Sequence, residues 1–228
     1  MNEIQKNVIE LKNKILELES KSSRAADSVT LMAVSKTHST QKIREVYSCG
    51  HKDFGENYLQ ESIQKINELK DLDITWHFIG KIQSNKSKQI AENFSWAHSI
   101  DKISTLKKIN EYRKILKNNL NVCIQINVDQ EATKSGICEN EVEQFIIEAQ
   151  KLEKINVRGL MAIPKHNDDY NIQYETFMRI KNLFDTLVDK GYKLDTLSIG
   201  MSSDFHAAIA AGSTIVRIGT SIFGERKK

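Results

Sequence analysis

Apolar positions along the chain follow two patterns that alternate. Ile4, Val8, Leu11, Ile15 and Leu18 recur every three or four residues, which places them on one face of a helix. The stripe is too short for a coiled coil, so residues 1–20 are expected to dock as a helix on the rest of the domain. Eight short apolar runs come next: Val29–Val34, Lys52–Gly55, Thr75–Ile79, Ser95–Ser99, Val122–Asn127, Asn156–Ile163, Thr196–Ile199 and Thr214–Ile218. Helical stripes lie between them, such as Val142, Phe145, Ile146 and Ala149, or Phe177, Ile180, Phe184 and Leu187. The runs are mostly continuous, as strands covered on both faces are. Strands alternating with helices predict parallel pairing.

Glycines punctuate this pattern. Gly50, Gly191 and Gly212 follow helical stretches, where a left-handed cap is useful. Gly55, Gly80, Gly200 and Gly219 are read at the other ends, just after strands, where a ligand can approach bare backbone. The single proline, Pro164, ends the sixth run, so no Pro-rich linker divides the chain. Eight strands predict a single-domain α/β protein over residues 1–228, a (β/α)8 TIM barrel with an extra N-terminal helix. An open doubly wound sheet is the alternative. Only GTSIFGERKK follows the eighth run, so a full eighth helix is not expected. The N-terminal helix is expected to cover the seam between strands eight and one.

Composition narrows the function classes. Of 228 residues, 39% are hydrophobic and the net charge is +3, which excludes a disordered chain. No stretch approaches the roughly 20 consecutive apolar residues of a spanning helix. The 33 Lys and Arg are interspersed with 30 Asp and Glu, with no basic arm, so neither a nucleic-acid partner nor a membrane partner is expected. Cys49, Cys123 and Cys138 form no CxxC pair and the N-terminus has no apolar signal core, which predicts a cytoplasmic location. The six histidines show no HExxH pattern, so no metal site is expected.

In such a barrel the chemistry sits on loops at the C-terminal ends of strands. MAVSKTH puts Lys36 directly after the first run. It is either a solvated strand end or a Schiff-base amine whose pKa falls in a desolvated mouth. FGEN offers Glu56 and Asn57. GMSSD places Ser202 and Ser203 where a helix begins, and RIGT offers Gly219 and Thr220; the pair reads as ordinary caps or as a phosphate cradle. Arg217 can aim into the mouth toward a ring nitrogen, or lie in the interior satisfied by a carboxylate such as Glu56. IQSNKSKQ can touch an anion but is more often a solvated helix start. Cys123 reads as core. Lysine, phosphate cradle and arginine together suit a phosphorylated aldehyde.

The stretches MAVSKTH, FGENYLQE, WHFIGKIQSNK, KSGI, VRGLMAIP, GMSSDFHAAIAAGST and VRIGTSIFGER occur in this order from about residue 29 to residue 226. Together they resemble the pyridoxal phosphate homeostasis protein family, which is similar to the barrel domain of alanine racemase. The resemblance implies a barrel that binds pyridoxal 5'-phosphate (PLP) and acts in vitamin B6 and amino-acid homeostasis, with no established turnover. Lys36 matches the Schiff-base lysine, Ser202, Gly219 and Thr220 the phosphate contacts, Arg217 the arginine facing the pyridine nitrogen, and Asn57 a position near the cofactor. A monomer with apo PLP-dependent enzymes as recipients is expected. A PLP-dependent amino-acid racemase is the alternative, but that reaction is expected to need a second base and a C-terminal β domain for which the sequence given leaves no room. Lys81 and His206 depart from the family pattern, where proline and an acidic residue are expected.

Overall fold

The computed structural model describes residues 1–129, 131 and 135–225. Helix α1 spans Glu3–Lys21. Asn2 and Gln5 form a reciprocal capping box at its start, each side chain bonding the other's main-chain N–H. The eight strands are β1 (Thr30–Val34), β2 (Asp53–Glu56), β3 (Thr75–Phe78), β4 (Trp96–Ile100), β5 (Leu120–Ile126), β6 (Ile155–Ala162), β7 (Thr196–Met201) and β8 (Ile215–Ile218). They match the eight apolar runs within about two residues. All pair in parallel and in chain order, and β8 pairs back onto β1 to close the barrel. The open-sheet alternative is thereby excluded.

The helices between strands are α2 (Thr40–Tyr47), α3 (Leu59–Glu68), α4 (Ser87–Asn93), α5 (Ile103–Arg113), α6 (Val142–Ala149), α7 (Tyr170–Asp189) and α8 (Phe205–Ala210). Among the described residues only a four-residue turn, α9 (Thr220–Phe223), follows β8. The stripe Val8, Leu11 and Ile15 of α1 is buried, and the helix packs against α2, α8 and α9. It thus covers the seam that a full eighth helix would cover. Buried Glu19 on α1 accepts from the main-chain N–H groups of Asp27 and Val29, fastening the helix to the start of β1.

Alternation along each strand creates two packing zones. Phe54, Trp76, Phe78, Ala97, Val216 and Ile218 face outward and join helix residues in one apolar cluster. Leu197, Ile199, Leu160 and Ile124 do the same in a second. Their neighbours Met32, His77, His98, Cys123, Met161, Ser198 and Arg217 face the interior, all at 4% exposure or less. Cys123 is core, and burial pushes its thiol well above the ordinary range.

Gly50, Gly191 and Gly212 have φ of 72°, 93° and 100° in the turns that follow helices, as expected. Gly55 and Gly200 correct the reading: both lie within strands rather than after them. Interior Gly55 leaves room for Met32, whose Sδ would be 2.6 Å from any added Cβ. No helix among the described residues is long and apolar enough to cross a membrane.

Candidate functional site

The C-terminal ends of β1, β2, β3, β6, β7 and β8 surround a cavity of about 520 Å³. Lys36, Asn57, Ser202, Arg217, Gly219 and Thr220 all line it. Residues as far as 184 positions apart, Lys36 and Thr220, are brought to one mouth because the strands are parallel and in register. His38, Ile79, Ile163, Met201, Ser203 and Gly224 complete much of the wall. Ser203 was visible in the GMSSD stretch. His38 and Ile163 carried no signal beyond lying next to strand ends.

Lys36 is held by its backbone. Ser35 N–H donates to Gly55 O at 3.0 Å, continuing the β1–β2 ladder. The next residue but one, Thr37, has φ of 68°, which is strained for a β-branched residue. Its N–H donates to Glu61 Oε1 at 2.6 Å. Lys65 Nζ donates to that same oxygen, to Ser35 O at 2.8 Å and to Glu56 Oε1 at 2.8 Å. Ser35 Oγ donates to Glu56 Oε1 as well, at 2.6 Å. This cluster from α3 and β2 clamps the chain on both sides of Lys36. Glu56 is therefore structural: it is fully buried, does not line the cavity, and its second oxygen has no partner among the described residues. Desolvation raises its pKa, against the pull of Lys65.

Glu56 is also not the partner of Arg217, which corrects that part of the sequence reading. Arg217 NH1 donates to Ser198 O at 2.6 Å and to Ser198 Oγ at 2.8 Å, and NH2 donates to Ala162 O at 2.9 Å. Those bonds use three of the five guanidinium N–H groups. Arg217 is 4% exposed and borders the cavity. Burial pushes its pKa down to about 10, so it remains a cation at neutral pH.

The far wall is built for an anion. Gly219 caps α9, whose N-terminus has no side-chain cap among the described residues, and Gly219 and Thr220 both line the mouth. A Cβ at Gly219 would stand 3.2 Å from Val34 O, so a side chain there would require β1 to give by a few tenths of an ångström. Ser202 and Ser203 precede α8, where Asp204 turns its carboxylate back to accept from Met201 N–H at 2.5 Å. Asn57 Oδ1 is buried without a partner among the described residues. Close approach of Gly80 to the Asn57 carbonyl fixes the β2 end; any Cβ at residue 80 would collide with it. An amine, a donor-only cation, uncapped N–H groups and an orphaned amide oxygen fit a phosphorylated, ring-bearing aldehyde.

The remaining readings separate from this mouth. Lys81 borders a neighbouring cavity with Asn57, not the site itself. His206 lies on α8 against Phe205, with ring centroids 4.1 Å apart, and does not line the cavity. IQSNKSKQ forms an exposed 3-10 turn, Ser84–Lys86, that leads into α4. The KSGI stretch begins at Lys134, outside the described residues.

Residues 8–227 match the family of the alanine racemase N-terminal domain. The chain is 43% identical over 229 residues to the pyridoxal phosphate homeostasis protein of Escherichia coli, covering 99% of this chain and 98% of that one. It is 44% identical to the protein of the same name from Vibrio alginolyticus, covering 99% of both. The structure of PipY from Synechococcus elongatus with PLP bound superposes with a TM-score of 0.81 at 34% identity, covering 92% of this chain and 100% of that one. The alanine racemase of Clostridium difficile, at 19% identity and a TM-score of 0.76, shares the fold; this chain spans 58% of its length. With the barrel, its mouth and near-complete coverage by these relatives in agreement, the chain belongs to the pyridoxal phosphate homeostasis protein family, within the alanine racemase N-terminal domain fold.

Proposed function

We propose that this protein binds PLP in the barrel mouth and serves intracellular PLP homeostasis. The observation that carries the reading is the convergence of Lys36, Asn57, Ser202, Arg217, Gly219 and Thr220 on one cavity. When bound, PLP supplies an aldehyde that condenses with an amine, with loss of water. Lys36 is the amine at the site, and the Glu56–Glu61–Lys65 clamp holds its backbone in place. The N–H groups of Gly219 and Thr220, with the hydroxyls of Ser202 and Thr220, would hold the phosphate dianion. Arg217 would donate to the pyridine nitrogen and could not accept its proton, so the ring would be a weaker electron sink than one paired with a carboxylate. The site thus favours holding and releasing PLP over rapid turnover, and apo-enzymes in the cytoplasm are the recipients, served by a monomeric carrier.

The test is borohydride reduction of the PLP-loaded protein followed by peptide mass mapping. The phosphopyridoxyl group is expected on Lys36, and Lys36→Ala is expected to abolish it while leaving the fold intact. Fixation on another lysine overturns the assignment. Incubation with amino acids in deuterated water separates this reading from a racemase: turnover at about 1 s⁻¹ or faster, the low end of ordinary enzymes, favours the enzyme.

A further inference from the structure

Barrel interiors ordinarily fill with Val, Ile and Leu. Here a line of polar side chains crosses the interior instead. Arg217 NH1 donates to Ser198 Oγ at 2.8 Å. Ser198 Oγ lies 3.0 Å from His98 Nδ1. His98 Nε2 lies 3.0 Å from His77 Nδ1, and His77 Nε2 lies 3.1 Å from Asp53 Oδ1. Ser198, His98 and His77 are at most 1% exposed. Asp53 is at the opposite end of β2 from the mouth. It lies four positions before Asn57, about 13 Å of strand. It borders a cavity on the N-terminal face with Lys12, Glu19, His51 and Lys52.

The carboxylate end dictates where the protons sit. A carboxylate only accepts, so His77 Nε2 holds its proton toward Asp53. A neutral His77 accepts on Nδ1, so His98 carries its proton on Nε2 and donates to it. A neutral His98 then accepts on Nδ1 from Ser198 Oγ. A guanidinium only donates, so Ser198 Oγ takes the Arg217 N–H on a lone pair. Burial keeps both imidazoles neutral by lowering their pKa values. Four bonds therefore point one way, from a buried cation to a partly exposed anion, and their dipoles reinforce one another.

We propose that Asp53, His77, His98 and Ser198 form a one-way hydrogen-bonded relay that positions Arg217 in the mouth and couples it to the opposite face of the barrel. The four are positioning residues, since none borders the cavity that Arg217 borders. The effect on ligand rests on the reading that PLP lies with its ring nitrogen toward Arg217; the relay itself does not.

The test uses the full chain labelled with nitrogen-15 histidine, first without PLP. Two-bond proton–nitrogen spectra are expected to show the Nε2–H tautomer for both His77 and His98. Asp53→Asn keeps an acceptor of the same shape and removes the charge. It is expected to move the His98 ring signals, two links away, and to weaken PLP binding about two- to thirtyfold, the size of a transmitted coupling. The nitrogen-15 signal of labelled PLP is expected to move with it. Ser213→Ala is the control: it removes an equally buried hydroxyl that bonds main-chain oxygens outside the relay. It is expected to leave the His98 signals in place and PLP affinity within about twofold. An Nδ1–H tautomer on either ring overturns the relay, as does an Asp53→Asn variant with unmoved His98 signals, or a Ser213→Ala effect as large as that of Asp53→Asn. If the unaltered protein takes up no PLP, the ligand reading fails, while the tautomers and the His98 response still decide the relay.

Discussion

The two faces of the same sheet have opposite characters. Outside, Phe54, Trp76, Phe78, Val216 and Ile218 meet the helices in continuous apolar packing. Inside, the residues that alternate with them include His77, His98, Ser198 and Arg217, joined by hydrogen bonds rather than by close-packed aliphatics. Burial is as complete inside as outside, so the difference lies in the kind of interaction. Outer residues gain from removal of apolar area and tolerate substitution by volume. Inner residues gain little net energy from each bond but lose heavily when one partner is removed, because the other is left buried and unpaired. The outer zone therefore carries the stability and the inner zone carries the orientation of Arg217. That division lets the mouth hold a rigid cation without a carboxylate in contact with it.

Phe94→Ala should break the outer zone most severely. Phe94 is 2% exposed and meets Phe78 edge-on with ring centroids 5.2 Å apart. Truncation is expected to cost about 3–5 kcal/mol in chemical denaturation. The folded fraction should still bind PLP with unaltered affinity; an equal loss of affinity would dissolve the distinction between zones.

Acid probes the polar zone. His51 is 5% exposed, donates to Asp53 O at 2.8 Å, and is held by burial at a pKa of about 4. Burial lowers His77 and His98 as well. In the unfolded chain these rings take up protons near pH 6.5, but the folded protein keeps them neutral. The unfolded state thus binds more protons between about pH 6.5 and 4, and stability is lost as pH falls through that window. His51 alone accounts for on the order of 3 kcal/mol of that loss. Glu56, whose pKa is raised, acts the other way, with stability falling as pH rises above the ordinary carboxylate range. Denaturation of His51→Gln against the parent should show a shallower slope across the window. An unchanged slope would mean that His51 is not the buried neutral ring described.

Ser202→Ala touches neither zone and sharpens the boundary at the mouth. Loss of one charge-assisted hydrogen bond is worth roughly 1.5–3 kcal/mol, so PLP affinity should fall by about one to two orders of magnitude. Unphosphorylated pyridoxal should bind as before, and the unfolding midpoint should stay put. Equal weakening of both ligands would remove Ser202 from the phosphate contacts.

The alternation of apolar runs and helical stripes made the barrel legible, because each element announces itself within ten to twenty residues. Lys36, Ser202 and Gly219 were legible for a related reason: they stand just past the runs, where the topology places loops of the mouth. The relay was not legible. TWHF, WAHSI and TLSI read as strands by their apolar and β-branched residues, and nothing local separates His77, His98 and Ser198 from the other polar residue in each stretch. His98 and Ser198 are 100 positions apart and gain meaning only when β4 and β7 face each other across a closed interior. The same closure decided the partner of Arg217. Glu56 was a reasonable carboxylate for it by strand position, yet Lys65 and Ser35 claim Glu56 beside β1, while Ser198 reaches Arg217 from the adjacent strand. Local periodicity is set by which face of one element avoids water, and that information is carried by neighbouring residues. Hydrogen-bond partners inside a barrel are set by strand order, stagger and ring closure, which exist only once all eight strands have met.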